Sequence, residues 1–150
     1  MNQAEKAELL EQIEKWNDAD EFARCIEAIE AIPERERDYL LTLKLGRAYS
    51  NLAVLSDRGA LGENAEVDGD LLRHAIDLLE SVRTQGENDP YWNARMGYSC
   101  LMAYSSAATA YEYAKRWLAL APDDPDAQKL VRDCEEYLDC LLYTSDAADE

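Results

Sequence analysis

The sequence predicts an all-α fold of paired helices, and three observations predict it. Apolar residues recur at intervals of three and four along most of the chain, the spacing that gathers them on one face of a helix. Asp89-Pro90 and Asp124-Pro125 each set a carboxylate where it accepts from free amides, and a proline where the missing N–H costs nothing. A glycine-centred frame also repeats, as Leu45-Gly46-Arg47-Ala48-Tyr49 and again as Met96-Gly97-Tyr98-Ser99-Cys100.

The elements follow in order. Leu9, Leu10, Ile13 and Trp16 predict a helix over about 3–17, and Phe22, Ile26, Ile29 and Ile32 a second over about 20–32, ending at Pro33. Leu41, Leu45, Tyr49 and Leu52 place a third at about 36–55. The stretch SDRGALGENAEVDGD, residues 56–70, then breaks the apolar period with three glycines and five acids and reads as an inserted surface loop. Leu72, Ile76, Leu79 and Val82 predict a fourth helix over about 70–84. Pro90 starts a fifth at about 90–105, a sixth runs over about 108–121 to Pro122, and Pro125 opens the last, at about 125–139.

The two glycine frames resemble the first helix of a tetratricopeptide repeat, L-G-x-x-Y, with Met96 and Cys100 replacing Leu and Tyr in the second copy. Ala75 to Leu79, and Ala110 to Ala114 followed by Pro122, resemble the second helix, A-x-x-x-F with a closing proline. Ala114 stands where that family has a large residue and Trp117 where it has a small one, an exchange that conserves volume. Trp92 stands one place earlier than the family's tryptophan. Gly46 and Gly97 lie 51 residues apart, about 17 beyond the roughly 34-residue period, which puts the 56–70 insertion between the two helices of one repeat. The resemblance implies a tetratricopeptide-like α-solenoid of three helical hairpins plus a terminal helix over residues 1–139, with a degenerate first hairpin. It also implies that each glycine admits a close partner helix.

Residues 140–150, CLLYTSDAADE, resemble throughout the in-frame translation of a transposon-derived sequencing-library adapter. They are expected to be a non-native tail, with the native protein continuing beyond Asp139. Excluding them removes Asp146, Asp149 and Glu150, and the chain stays acidic.

Composition narrows function. Lys and Arg number 15 against 32 Asp and Glu, a formal charge of −17 that repels phosphate backbones and anionic membrane surfaces. No nucleic acid or membrane partner is expected. The N-terminus, MNQAEKAELLEQIEK, lacks the apolar run of a signal peptide, so the expected compartment is the cytoplasm. Cys25, Cys100, Cys134 and Cys140 form no CxxC pair, and His74 is the only histidine, so no metal or other cofactor is expected. Asp57, Gly62 and Asp68 have the first, sixth and twelfth spacing of a calcium loop, but Gly59 and Leu61 supply no side-chain oxygen where one is needed. His74, beside an apolar stripe, reads as a packed or surface residue, and no nucleophile or phosphate-loop motif is present, so no enzyme is expected.

In the family resembled, first helices line a concave groove that takes extended or helical peptides. Counted from each glycine, its positions fall on Lys44, Arg47 and Asn51, and on Tyr91, Arg95 and Tyr98. Arginine forks pair carboxylates bidentately and tyrosines give rigid contact area, which suits an acidic or C-terminal peptide. The same cations also suit pairing with acids of the chain itself. The family's carboxylate clamp needs lysine three places before the glycine and asparagine one after. Leu43 and Arg47, and Ala94 and Tyr98, stand there instead. The expected function is therefore a noncatalytic protein-protein interaction module, the N-terminal part of a longer bacterial protein. The alternatives are the scaffold of an enzyme or toxin-neutralising protein whose active domain lies beyond residue 139, and a self-association device.

Overall fold

The computed structural model describes residues 1–59, 68–103 and 107–148, with side chains described for all of these except 56–59 and 142–148. Among the described residues every regular element is helical, and the all-α expectation holds. No described helix is long and apolar enough to cross a membrane. The chain divides into two compact units, Met1–Val82 and Arg83–Glu150.

In the N-terminal unit, α1 spans Gln3–Asp18. Asn2 opens it with a reciprocal cap: its Oδ1 accepts from the Glu5 amide at 2.8 Å while the Glu5 carboxylate accepts from the Asn2 amide at 3.3 Å. The chain leaves α1 through Asp20, whose φ of 58° is left-handed, and the Glu21 amide donates back to the Trp16 carbonyl at 2.8 Å. Helix α2, Phe22–Glu30, buries Phe22, Cys25 and Ile29. A 3-10 turn at Glu34–Glu36 follows, and α3 covers Tyr39–Gly59. The expected start at 36 is corrected to 39 because Asp38 acts as the cap, its Oδ1 accepting from the Leu41 amide at 3.0 Å. Helix α4, Gly69–Glu80, begins on Asp68, whose carboxylate accepts from the amides of Asp70 and Leu71.

The expected 56–70 loop is therefore shorter at both ends: α3 runs to Gly59 and α4 starts at Gly69. Its middle, residues 60–67, lies outside the described residues, as do Gly62 and the Asp57 side chain of the calcium spacing. Each helix of this unit packs on the next, and α1 also meets α3. Ile13, Cys25, Ile29, Leu41, Leu45 and Ala48 form one buried cluster, walled by Leu9, Leu10, Trp16, Ile26, Ile32, Tyr49 and Leu78. Each large aliphatic side chain so buried contributes about 1.5–3 kcal/mol.

In the C-terminal unit, a single turn, α5 (Arg83–Gly86), takes the place of the expected end of the fourth helix, which stops at Glu80. Helix α6, Pro90–Met102, is capped by Asp89, whose carboxylate accepts from the Tyr91 amide at 2.9 Å. Helix α7 spans Ala107–Leu120 and α8 spans Pro125–Ala148. The end of α8 expected at 139 is thus corrected to 148. No glycine or proline interrupts residues 140–148, so nothing in the backbone stops the helix. Helix α6 packs on α7, α7 on α8, and α6 also meets α8. Trp92, Met96, Ala110, Ala114, Leu130 and Cys134 are buried among them.

Candidate functional site

Close helix contacts set the stage for the exposed positions. A Cβ built on Gly46 of α3 would stand 3.0 Å from both Cγ and Cδ2 of Leu79 and 3.5 Å from the Ala75 carbonyl of α4. On Gly97 of α6 it would stand 3.0 Å from Leu130 Cδ2 and 3.8 Å from the backbone of Ala110 and Ala114 on α7. Both glycines thus lie at helix crossings, and each faces the alanine-led segment that follows it in sequence. Trp117 is buried one turn beyond Ala114, with its ring edge-on to Tyr98 at 5.8 Å.

With the glycines turned inward, Lys44, Arg47 and Asn51 share another face of α3, at i, i+3 and i+7. That face meets α1. Arg47 grips Glu14 bidentately, Nη2 to Oε1 at 2.9 Å and Nη1 to Oε2 at 3.2 Å, and Lys44 Nζ reaches the same Oε1 at 2.7 Å. Asn51 Nδ2 donates to Asn17 Oδ1 at 3.1 Å. Burial pushes the Glu14 carboxyl up, but the hydrogen bonds and charges of Arg47 and Lys44 outweigh it and hold the group below its ordinary value. The Arg47 side chain keeps only 13% of its exposure, and its buried Nε finds no acceptor among the described residues.

Tyr91, Arg95 and Tyr98 share a face of α6, at i, i+4 and i+7. Tyr91 is 73% exposed, an unusual position for a large aromatic ring. The Arg95 guanidinium lies 5.6 Å from the centre of the Tyr98 ring, a cation–π contact. Burial first, and then the charge of Asp126, push the Tyr98 hydroxyl above its ordinary value. The structure therefore assembles each set of three on its own helix face, one in each unit. In comparisons with known proteins, no family model, no curated protein and no solved structure matches this chain.

Two features were missed by sequence reasoning. Glu14 lies on α1, 33 residues before Arg47, and nothing in its local sequence marks it as the partner of two cations. Arg83 was missed as well. Its guanidinium stands 5.1 Å from the Trp92 ring centre and 5.5 Å from that of Tyr113, and it donates to the Tyr113 hydroxyl. The exposed ring of His74 stands edge-on to Tyr49 at 4.5 Å and 84°.

Proposed function

We propose that the chain is a noncatalytic protein-interaction module, a tetratricopeptide-like α-solenoid that captures an acidic or C-terminal peptide on the candidate faces of its first helices. The observation that carries this reading is the repeated crossing, in which Gly46 meets Ala75 and Leu79 and Gly97 meets Ala110 and Ala114. The same device builds a hairpin in each unit, and stacked hairpins of this kind present first-helix faces to a guest. On α6, Tyr91, Arg95 and Tyr98 supply a rigid aromatic surface with one guanidinium, a composition enriched where proteins meet. On α3, Lys44, Arg47 and Asn51 already hold Glu14 and Asn17, so an acidic guest there competes with an internal carboxylate.

The test is fluorescence anisotropy with a labelled acidic peptide bearing a free C-terminus, against the wild type and against Tyr91→Ala/Arg95→Ala and Glu14→Gln. Loss of the α6 pair is expected to weaken binding by about tenfold or more, the worth of one charge-assisted contact and a packed ring. Glu14→Gln is expected to strengthen it by releasing both cations of α3. Unchanged affinity in both variants, each still folded by circular dichroism, refutes the reading.

A further inference from the structure

Helix α7 carries an unassigned cavity on the side facing away from its core stripe. At 100° per residue, Ala110, Ala114 and Trp117 define the buried side, while Glu112 and Ala119 point almost opposite and Thr109 and Arg116 lie on the flank between. Those four, with Tyr113, Lys115 and Arg83 from α5, line an open cavity of about 780 Å³, within the usual range for ligand sites.

The charge at this place runs against that of the molecule. The cations of the C-terminal unit are Arg83, Arg95, Lys115, Arg116, Lys129 and Arg132, and three of the six line this one cavity in a chain of net charge −17. One acid, Glu112, stands among the lining residues, and it pairs with Lys115 at 3.0 Å. Arg116 is exposed and makes no ion pair among the described residues. Arg83 is held in place: it lies against the rings of the fully buried Trp92 and of Tyr113, and it donates to the Tyr113 hydroxyl. An arginine fixed by packing loses little rotamer freedom when it engages a partner, so its contribution to binding is preorganised.

We propose that this cavity is a second binding site, independent of the α3 and α6 faces, for a peptide segment rich in carboxylates. Arg83 is its fixed anchor, Arg116 the exposed clamp, and Lys115 is recruited from Glu112. The breadth of the cavity and its three separated cations favour several carboxylates on an extended segment over one isolated anion. The remaining acidic surface repels such a segment elsewhere and so steers it here.

The experiment uses the full chain with two labelled probes: hexaglutamate amidated at its C-terminus, and a neutral hexapeptide with a free C-terminal carboxylate. Binding of hexaglutamate is expected, weakening steeply between low salt and 0.3 M NaCl as screening grows. Lys115→Ala/Arg116→Ala lies on the surface and is expected to weaken it about tenfold with unchanged melting temperature. Arg83→Lys keeps the charge and loses the planar fork, and is expected to weaken it too. In the Tyr91→Ala/Arg95→Ala variant, the part of hexaglutamate binding that depends on Lys115 and Arg116 is expected to remain as in wild type, whatever becomes of binding at the α6 face. If the neutral probe binds as tightly as hexaglutamate with the same dependence on Arg116, a single carboxylate suffices and the assignment to a carboxylate-rich segment is overturned. If neither probe binds, or if binding ignores Arg116 and Lys115, the proposal is overturned.

Discussion

Replacing Gly46 by alanine separates two opposed effects that the structure allows to be weighed. Alanine is favoured over glycine inside a helix by about 1 kcal/mol. Against this, the new methyl would meet Leu79 at 3.0 Å through both Cγ and Cδ2. Cγ is a branch carbon of a fully buried side chain, so it moves only by shifting the helix behind it. Overpacking of that kind costs about 1–3 kcal/mol, here at the upper end. The net is a destabilisation of about 2 kcal/mol, or roughly 4–8 °C in Tm for a chain of this length. At Gly97 the one tight contact is the terminal methyl of Leu130, and the two backbone atoms stand at an ordinary 3.8 Å. The lower end of the overpacking range then roughly cancels the propensity gain, and Gly97→Ala is expected to be close to neutral.

The assay is urea unfolding followed by far-ultraviolet circular dichroism, with Leu79→Ala as the second arm of a double-mutant cycle. Leu79→Ala alone leaves a cavity and costs about 2–5 kcal/mol. In that background the Gly46 methyl has room, so a coupling of about 1–3 kcal/mol is expected. A stabilised Gly46→Ala, or an identical cost with and without the Leu79 side chain, would refute the assignment of the glycine to a close crossing.

Gly86→Ala is expected to be harsher, at about 3 kcal/mol, because a Cβ there would overlap the fully buried indole of Trp92; unfolding and near-ultraviolet dichroism would register it. Glu14→Gln is expected to cost about 1 kcal/mol at pH 7. Because the folded Glu14 value lies below the ordinary 4.5, its contribution is present above that pH and lost as pH falls through the depressed value. Wild type and variant should therefore converge on acidification, leaving Asp38, also lowered despite burial by Lys6 and the Leu41 amide, as a remaining source of acid sensitivity. Parallel stability curves from pH 7 to pH 3 would contradict this.

Helix existence was legible because it rests on local periodicity: Ile13, Ile29, Leu45, Leu72 and Leu79 were placed on helix faces and all are buried. Both glycine crossings were legible for a different reason, since their frames resemble a tetratricopeptide first helix, and that resemblance implies a glycine at close approach. Boundaries were less so. Asp38 and Asp68 cap helices without the proline that marks Asp89 and Asp124, and α8 passes 139 for want of any stop. The partners of the candidate residues were not legible at all. Glu14 meets Arg47, and Arg83 meets Tyr113, across 33 and 30 residues of chain, distances that only tertiary packing closes. Gly86 was hidden for the same reason, since Gln-Gly-Glu-Asn-Asp reads locally as a turn and not as a seat for an indole.

One carboxylate shared by two cations turns that corner of the molecule into an occupied berth. A visitor with a single acidic group would merely trade places with Glu14, leaving the tally of ion pairs as it was. On the proposed reading, net advantage falls to visitors carrying several acids, or to those that also engage other surface of the same unit. If the α3 face takes an acidic guest as proposed, Glu14 sets a threshold there, screening out lone anions such as free amino acids while leaving longer acidic stretches a reason to stay.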